Sequence, residues 1–190
     1  MEATSILSAL KLSISKHIVV SIFTDRFQPD KCVAGIIEAI SNKQFLMKHI
    51  SPEGLYDGYV IRNLEDVFRV DFNGLYEQRL FKLYMSQNQH HEDFIKATIK
   101  DDLNLYKESL IAAKNLKLVV SVTVDQTETQ DSITGWVKFI SNSEVVISKI
   151  SFEGLDDGES IIYIDDILKM NCDTSDEKSL KILNQLTTIN

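Results

Sequence analysis

The chain has 190 residues, 44% of them hydrophobic and 25% charged, with two prolines, seven glycines and a formal net charge of −8. This is the composition of a folded globular protein of one or two domains, and it excludes a disordered or fibrous chain. No apolar run approaches the roughly 20 residues that a membrane-spanning helix needs, so no membrane partner is expected.

Residues Thr4 to Ser15 set Ile6, Leu7 and Leu10 on one helical face and predict a short leading helix. The β-branched and aromatic run from Ile18 to Phe23 predicts a first strand, and Asp25 to Lys31, with Pro29 inside it, a polar connection. A second strand is expected over Cys32 to Ile40. Gly35 weakens that strand intrinsically, so it marks a place where the strand bends sharply or where a neighbour packs close. Ser41-Asn42 supply turn chemistry through side chains that bond their own backbone. A third strand follows over Phe45 to Ile50. The stretch Ile50 to Gly58, Ile-Ser-Pro-Glu-Gly-Leu-Tyr-Asp-Gly, reads as a hairpin connection. A fourth strand over Tyr59 to Arg62, a break at Leu64-Glu65-Asp66, a fifth strand over Val67 to Phe72 and a helix over Leu75 to Leu83 complete the pattern.

The pattern then returns. Ile150 to Gly158 reads Ile-Ser-Phe-Glu-Gly-Leu-Asp-Asp-Gly, and around it the elements recur roughly 100 residues later. The counterparts are a strand over Leu118 to Val124, a polar connection from Asp125 to Asp131, Gly135, the Ser141-Asn142 turn and a strand over Val145 to Ile150. Further strands follow over Ser160 to Tyr163 and Ile167 to Cys172, then a helix over Ser179 to Leu186. About a fifth of aligned positions are identical, while glycines, turn residues and apolar register persist. Between the copies, Asp93 to Lys114 predicts a longer helix or a helix pair. The expected organisation is a duplicated unit, with residues 1–88 as the first copy and 89–190, including the linking helix, as the second.

A leading helix, five strands, a glycine in the second strand and a minimal turn before the fifth resemble the Sm-like small β-barrel, whose plan SH3-like barrels share. Gly35, Ile37, Ile40, Leu46 and the Ser41-Asn42 turn match the first Sm motif, and Ile61-Arg62-Asn63 is similar to the Ile-Arg-Gly of the second. In the other copy these positions are Gly135, Val137, Ile140, Val146 and Ile161-Ile162-Tyr163. The resemblance implies a mainly β protein with helices (α+β), built as two tandem five-stranded Sm-like or SH3-like barrels. It also implies a nucleic-acid-binding rim formed by Asn42, Lys43, Lys48, Arg62 and Asn63. Ser41 and Phe45 stand where Sm-like proteins commonly carry Asp and, in the eukaryotic and archaeal type, Asn.

Charge decides where such a rim could work. Residues 1–84 hold 10 Lys plus Arg against 10 Asp plus Glu, whereas residues 116–190 hold 6 against 13. Phosphate tracking needs a basic surface, so DNA is not expected and RNA is possible only on the first copy. Other candidate chemistry has simpler readings. Glu53, Asp57, Glu153, Asp156, Asp157 and Glu159 could offer oxygen ligands to a hard cation, but solvated turns with glycine freedom account for them. His90-His91-Glu92 reads as an exposed linker or helix start, because adjacent helical residues diverge by about 100°. His17 and His49 read as structural. Cys32 and Cys172 occupy non-equivalent positions and read as separate small apolar side chains. Trp136 and Phe139 replace Ile36 and Ala39 and read as an enlarged core or a barrel-to-helix contact, with a partner surface as the alternative.

No nucleophile elbow, phosphate loop or zinc cluster is present, so neither catalytic residues nor a metal or other cofactor is expected. The N-terminal Met1-Glu2-Ala3-Thr4-Ser5 lacks a basic cluster, and the expectation is a cytoplasmic, bacterial protein. The expected role is a non-enzymatic interaction or regulatory protein that binds a protein partner or self-associates. RNA binding through the first copy is the alternative.

Overall fold

The computed structural model describes residues 5–125 and 132–188, so most of the connection expected from Asp125 to Asp131 lies outside the described residues, as does the start of the leading helix at Thr4. The chain divides into two compact units, Met1–Asp93 with Thr98–Leu105, and Phe94–Ala97 with Tyr106–Asn190.

In the first unit α1 (Ile6–Lys16) begins at Ser5, whose side chain accepts a hydrogen bond from Ser8 N, and ends where His17 turns left-handed at φ 52°. The strands are β1 (Val20–Phe23), β2 (Val33–Ile40), β3 (Gln44–Ile50), β4 (Tyr56–Asn63) and β5 (Arg69–Phe72), with a 3₁₀ turn at Leu64–Asp66 and α2 (Leu75–Ser86) after them. All pairings are antiparallel, in the order β5-β1-β2-β3-β4. Period-two alternation sends side chains to both faces, and a helix covers part of each. On one side Leu10 of α1 packs with Val20, Ile22, Ile37, Phe45, Met47 and Val60. On the other, Leu80 and Tyr84 of α2 pack with Val19, Ala34 and Ile50.

The second unit repeats this with α3 (Leu105–Leu116), β6 (Val119–Thr123), β7 (Ile133–Ile140), β8 (Glu144–Ile150), β9 (Asp156–Tyr163), β10 (Lys169–Cys172) and α4 (Ser175–Thr188). Its order is β10-β6-β7-β8-β9. The register breaks also repeat: β2 shifts between Ile37 and Ala39 and β7 between Val137 and Phe139, while β3 shifts between Lys48 and Ile50 and β8 between Ser148 and Ile150. Such bulges increase local twist. At the first of them the buried Ser13 side chain of α1 accepts a bond from Ile37 N at 3.0 Å and donates to Ile18 O at 2.7 Å.

The expected pair of closed small barrels is corrected by the strand order. The 3₁₀ turn carries the chain away from β4, and β5 pairs with the far edge of β1, Val20 opposite Phe72 and Phe23 opposite Arg69. Strands β4 and β5 therefore end up at opposite ends of the first unit's order, as do β9 and β10 in the second. Closure needs those end strands to pair. Each unit instead carries an open five-stranded antiparallel sheet in an α+β arrangement.

Gly35 has a close-packing reason. A Cβ there would sit 2.1 Å from Lys48 O, and one at Gly135 would sit 2.0 Å from Ser148 O. The echoed stretch is likewise a backbone device. In both copies a serine at its second position ties a short turn, with Gly54 N donating to Ser51 O at 2.8 Å and Gly154 N to Ser151 O at 2.9 Å. Gly54 has φ 77° and packs on Leu83 of α2; Gly154 has φ 82° and packs on Leu183 of α4.

The linking segment differs from the long helix or helix pair expected over Asp93 to Lys114: only Leu105–Leu116 is helical there. The preceding residues satisfy their polar backbone elsewhere. Asp101 O accepts from Asn42 N at 2.7 Å, and Leu105 N donates to Gln44 Oε1 at 2.7 Å. The first bond uses a segment carbonyl outside any helical ladder, and the second serves Leu105 at the start of α3, where the first N–H groups have no partner within the helix.

Candidate interaction surface

The two copies place homologous residues on the same sheet face and then treat them differently. In the first unit Leu46 of β3 lies opposite both Ala39 of β2 and Ile61 of β4, and Gln44 lies opposite Asn63. Ala39, Leu46, Ile61 and Gln44 are all buried. In the second unit Val146 lies opposite Phe139 and Ile161, and Glu144 opposite Tyr163. There Phe139 is 55%, Ile161 68% and Tyr163 59% exposed. An uncovered sheet face ordinarily alternates toward polar residues. This face instead replaces alanine by phenylalanine and asparagine by tyrosine.

Two further features shape the surface. Beside it lies a shallow hollow lined by Val124, Ile161 and Tyr163 with the carboxylates of Glu144 and Asp166. Strand β9 is the last strand in its unit's order. It and the following 3₁₀ turn carry Asp156, Asp157, Glu159, Asp165 and Asp166 and no basic residue. Lys149 from β8 bonds Asp157 at 2.9 Å, and Lys138 from β7 pairs with Glu159. The edge therefore combines apolar area, acidic character and the open main-chain side of a terminal strand.

The five residues nominated for RNA separate. Asn42 and Lys43 are exposed on the turn between β2 and β3. Lys43 O accepts from Leu64 N at 2.7 Å, which brings the end of β4, with half-buried Asn63, to the same end of the sheet. Arg62 is only 8% exposed, and its guanidinium donates to Ile61 O at 2.8 Å. Lys48 lies further along β3, with its ammonium 2.6 Å from Asp93 and 3.9 Å from Glu38. The Asp93 carboxyl is held below its usual range by that lysine.

His91 is buried rather than part of an exposed linker. Its Nε2 must donate to Gly58 O at 3.1 Å, because a carbonyl only accepts; in the neutral ring Nδ1 then accepts from Tyr84 Oη at 2.8 Å. The rings of Tyr56, Tyr59 and Tyr84 stand 4.4, 5.6 and 5.6 Å from it. Burial pushes its pKa down to about 4, with Lys48 and His49 adding to the repulsion of a proton. This fully bonded imidazole ties the linking segment to β4 and has no open coordination position. His90, by contrast, is an exposed neighbour of Glu92.

The remaining chemistry is structural. Glu177 accepts from Thr174 N at 2.9 Å and Thr174 Oγ1 at 2.6 Å at the start of α4, while its counterpart Glu77 accepts from Ser21 Oγ at 2.5 Å. Cys32 and Cys172 are free thiols that burial pushes up, away from the thiolate. Glu53 and Glu153 accept from Ser51 and Ser151 within their turns, and Asp57 pairs with His49 at 3.1 Å. Among the described residues no group of three or more His, Cys, Asp or Glu is arranged to hold a metal ion. No described helix is long and apolar enough to cross a membrane.

The aromatics at 136 and 139 have different surroundings. Trp136 Nε1 donates to Asn184 Oδ1 of α4 at 3.0 Å, a sheet-to-helix contact, whereas Phe139 joins the exposed face. Ile161 and Tyr163 escaped notice as surface residues because a strand flanked by apolar neighbours reads as core. The signal was in comparing the copies, where Asn63 becomes Tyr163. No family model matches the chain, and no curated protein or solved structure matches it with statistical significance.

Proposed function

We propose that this chain is a non-enzymatic interaction protein whose second unit binds another polypeptide on the β7–β8–β9 face and along the β9 edge. The carrying observation is the exposure of Phe139, Ile161 and Tyr163 where the first unit buries Ala39 and Ile61. Apolar area of this kind is costly to leave in water, at about 25 cal/mol per Å², and contiguous exposed patches mark interaction sites. An end strand supplies unpaired main-chain donors and acceptors for strand addition, and alternate side chains supply selectivity. RNA binding has less support, because Arg62 is buried and Lys48 is bonded to Asp93, leaving Asn42 and Lys43 as the exposed members of that set.

A photo-crosslinking amino acid at Tyr163 should yield a discrete polypeptide adduct in cells. The adduct should disappear when Ile161→Asp is added, and a probe at exposed Lys82 should give none. Equal labelling from both positions would overturn the reading.

A further inference from the structure

Where Trp136 meets α4, the second unit carries a hollow of about 520 Å³. Buried Ala113 and Val137 line it together with Lys114, Lys117, Trp136 and Lys181. Among the described residues no carboxylate lines it. The lysines reach it from two helices. Lys114 and Lys117 are exposed at the end of α3, where Lys117 N donates to Lys114 O at 3.3 Å. Lys181 comes from α4; its ammonium donates to Lys117 O at 2.9 Å and stands 5.8 Å from the centre of the Trp136 ring. That bond goes to a carbonyl, and an ammonium has three donors.

The two copies differ here in one direction. Their alignment is fixed by left-handed His17 and Lys117, by Gly35 and Gly135, and by Leu83 and Leu183 beneath Gly54 and Gly154. Lys114, Lys117, Trp136 and Lys181 then correspond to Ile14, His17, Ile36 and Phe81. In the first unit Ile14, Ile36 and Phe81 are partly buried against the core clusters. The second copy thus sets three ammonium groups and an indole where the first has mostly apolar packing. It does so although residues 116–190 hold 6 Lys plus Arg against 13 Asp plus Glu. A helix C-terminus favours cations, which accounts for lysine at the end of α3 but not for Lys181 and Trp136 arriving from other elements. Like charges held together repel, and an anion among them relieves the repulsion.

Charge and size select the ligand class. Three cations suit more than one negative charge, and a phosphate monoester carries about −1.5 to −2 at neutral pH. The indole offers a surface on which a nucleobase stacks. The volume is that of a small-molecule site, and the acidic excess of this copy disfavours a long phosphate chain. We infer that the hollow binds a free nucleoside phosphate, with its phosphates among Lys114, Lys117 and Lys181 and its base against Trp136.

Trp136 is the single tryptophan of the chain, so its fluorescence reports this hollow. The purified full-length protein is titrated at low salt with a nucleoside diphosphate, inorganic pyrophosphate, the unphosphorylated nucleoside and a short single-stranded oligonucleotide, with calorimetry as a second readout. The nucleoside diphosphate should bind saturably with a Kd below about 1 mM, and at least about tenfold tighter than pyrophosphate or the nucleoside. Lys114→Gln combined with Lys117→Gln should weaken it at least about tenfold, whereas Lys82→Gln, the same charge change at an exposed lysine of the first unit, should leave it unchanged. Lys114→Gln alone replaces the double variant should the latter lose its thermal transition.

Absence of saturable binding at millimolar nucleoside diphosphate overturns the inference, as does binding untouched by the lysine variants. Equal affinity for pyrophosphate also overturns it, because charge alone would then be read. So does tighter binding of the oligonucleotide, which would make a nucleic-acid strand the ligand.

Discussion

Replacing His91 by glutamine tests the physical account of the buried tyrosine cage. The neutral imidazole accepts from Tyr84 and donates to Gly58 O, and burial holds its pKa near 4 against an ordinary value of 6.5. A folded-state pKa below the unfolded one means that acid favours unfolding. The stabilisation is fully present above the unfolded pKa and drains away as the pH falls toward the folded one. Each unit of pKa difference corresponds to about 1.4 kcal/mol, so this histidine should cost the fold about 2 kcal/mol between about pH 7 and about pH 5, approaching about 3 near pH 4.

Glutamine can accept from Tyr84 and donate to Gly58 O without titrating. Urea unfolding at a series of pH values should therefore show His91→Gln less stable than wild type at neutral pH but flatter below about pH 6.5. The difference between the two proteins removes the shared carboxylate contribution. Parallel pH profiles would refute the cage account, and so would a ring titration near 6.5 followed by nuclear magnetic resonance.

Gly35→Ala should destabilise the chain by about 2 kcal/mol or more, since the added carbon meets a carbonyl of the neighbouring strand rather than a movable side-chain tip; a neutral result in urea unfolding would show that β2 and β3 can separate locally. Arg62→Ala should lower stability by about 1–3 kcal/mol while leaving any retention of single-stranded RNA unchanged, because the buried guanidinium bonds the backbone. A salt-dependent RNA titration in which Arg62→Ala alone abolishes binding would reverse that assignment and revive the RNA reading.

Local pattern accounts for much of the fold. The copies announce themselves through Ile50 to Gly58 and Ile150 to Gly158, and the strands follow from β-branched runs bounded by turn residues. Gly35 and Gly135 were legible as positions of bending or close approach; the distance to Lys48 O identifies close approach. The linking segment was illegible for a definite reason. Its apolar spacing is compatible with a helix, but its backbone bonds at Asp101 O and Leu105 N go to partners far away in sequence, Asn42 and Gln44. His91 was misread for the same reason, since its cage comes from Tyr56, Tyr59 and Tyr84 on other elements.

The candidate surface lies between these cases. Sequence by itself determined that Phe139 and Tyr163 replace Ala39 and Asn63, because that is a comparison of aligned letters. Whether each position faces solvent was decided only by tertiary structure. Strand alternation assigns a residue to one of two faces, but what covers a face depends on parts of the chain remote in sequence. Closure was decided in the same way. The break at Leu64 to Asp66 was visible beforehand, yet only the pairing of β5 with β1 leaves β4 and β5 at opposite ends of the first unit's strand order.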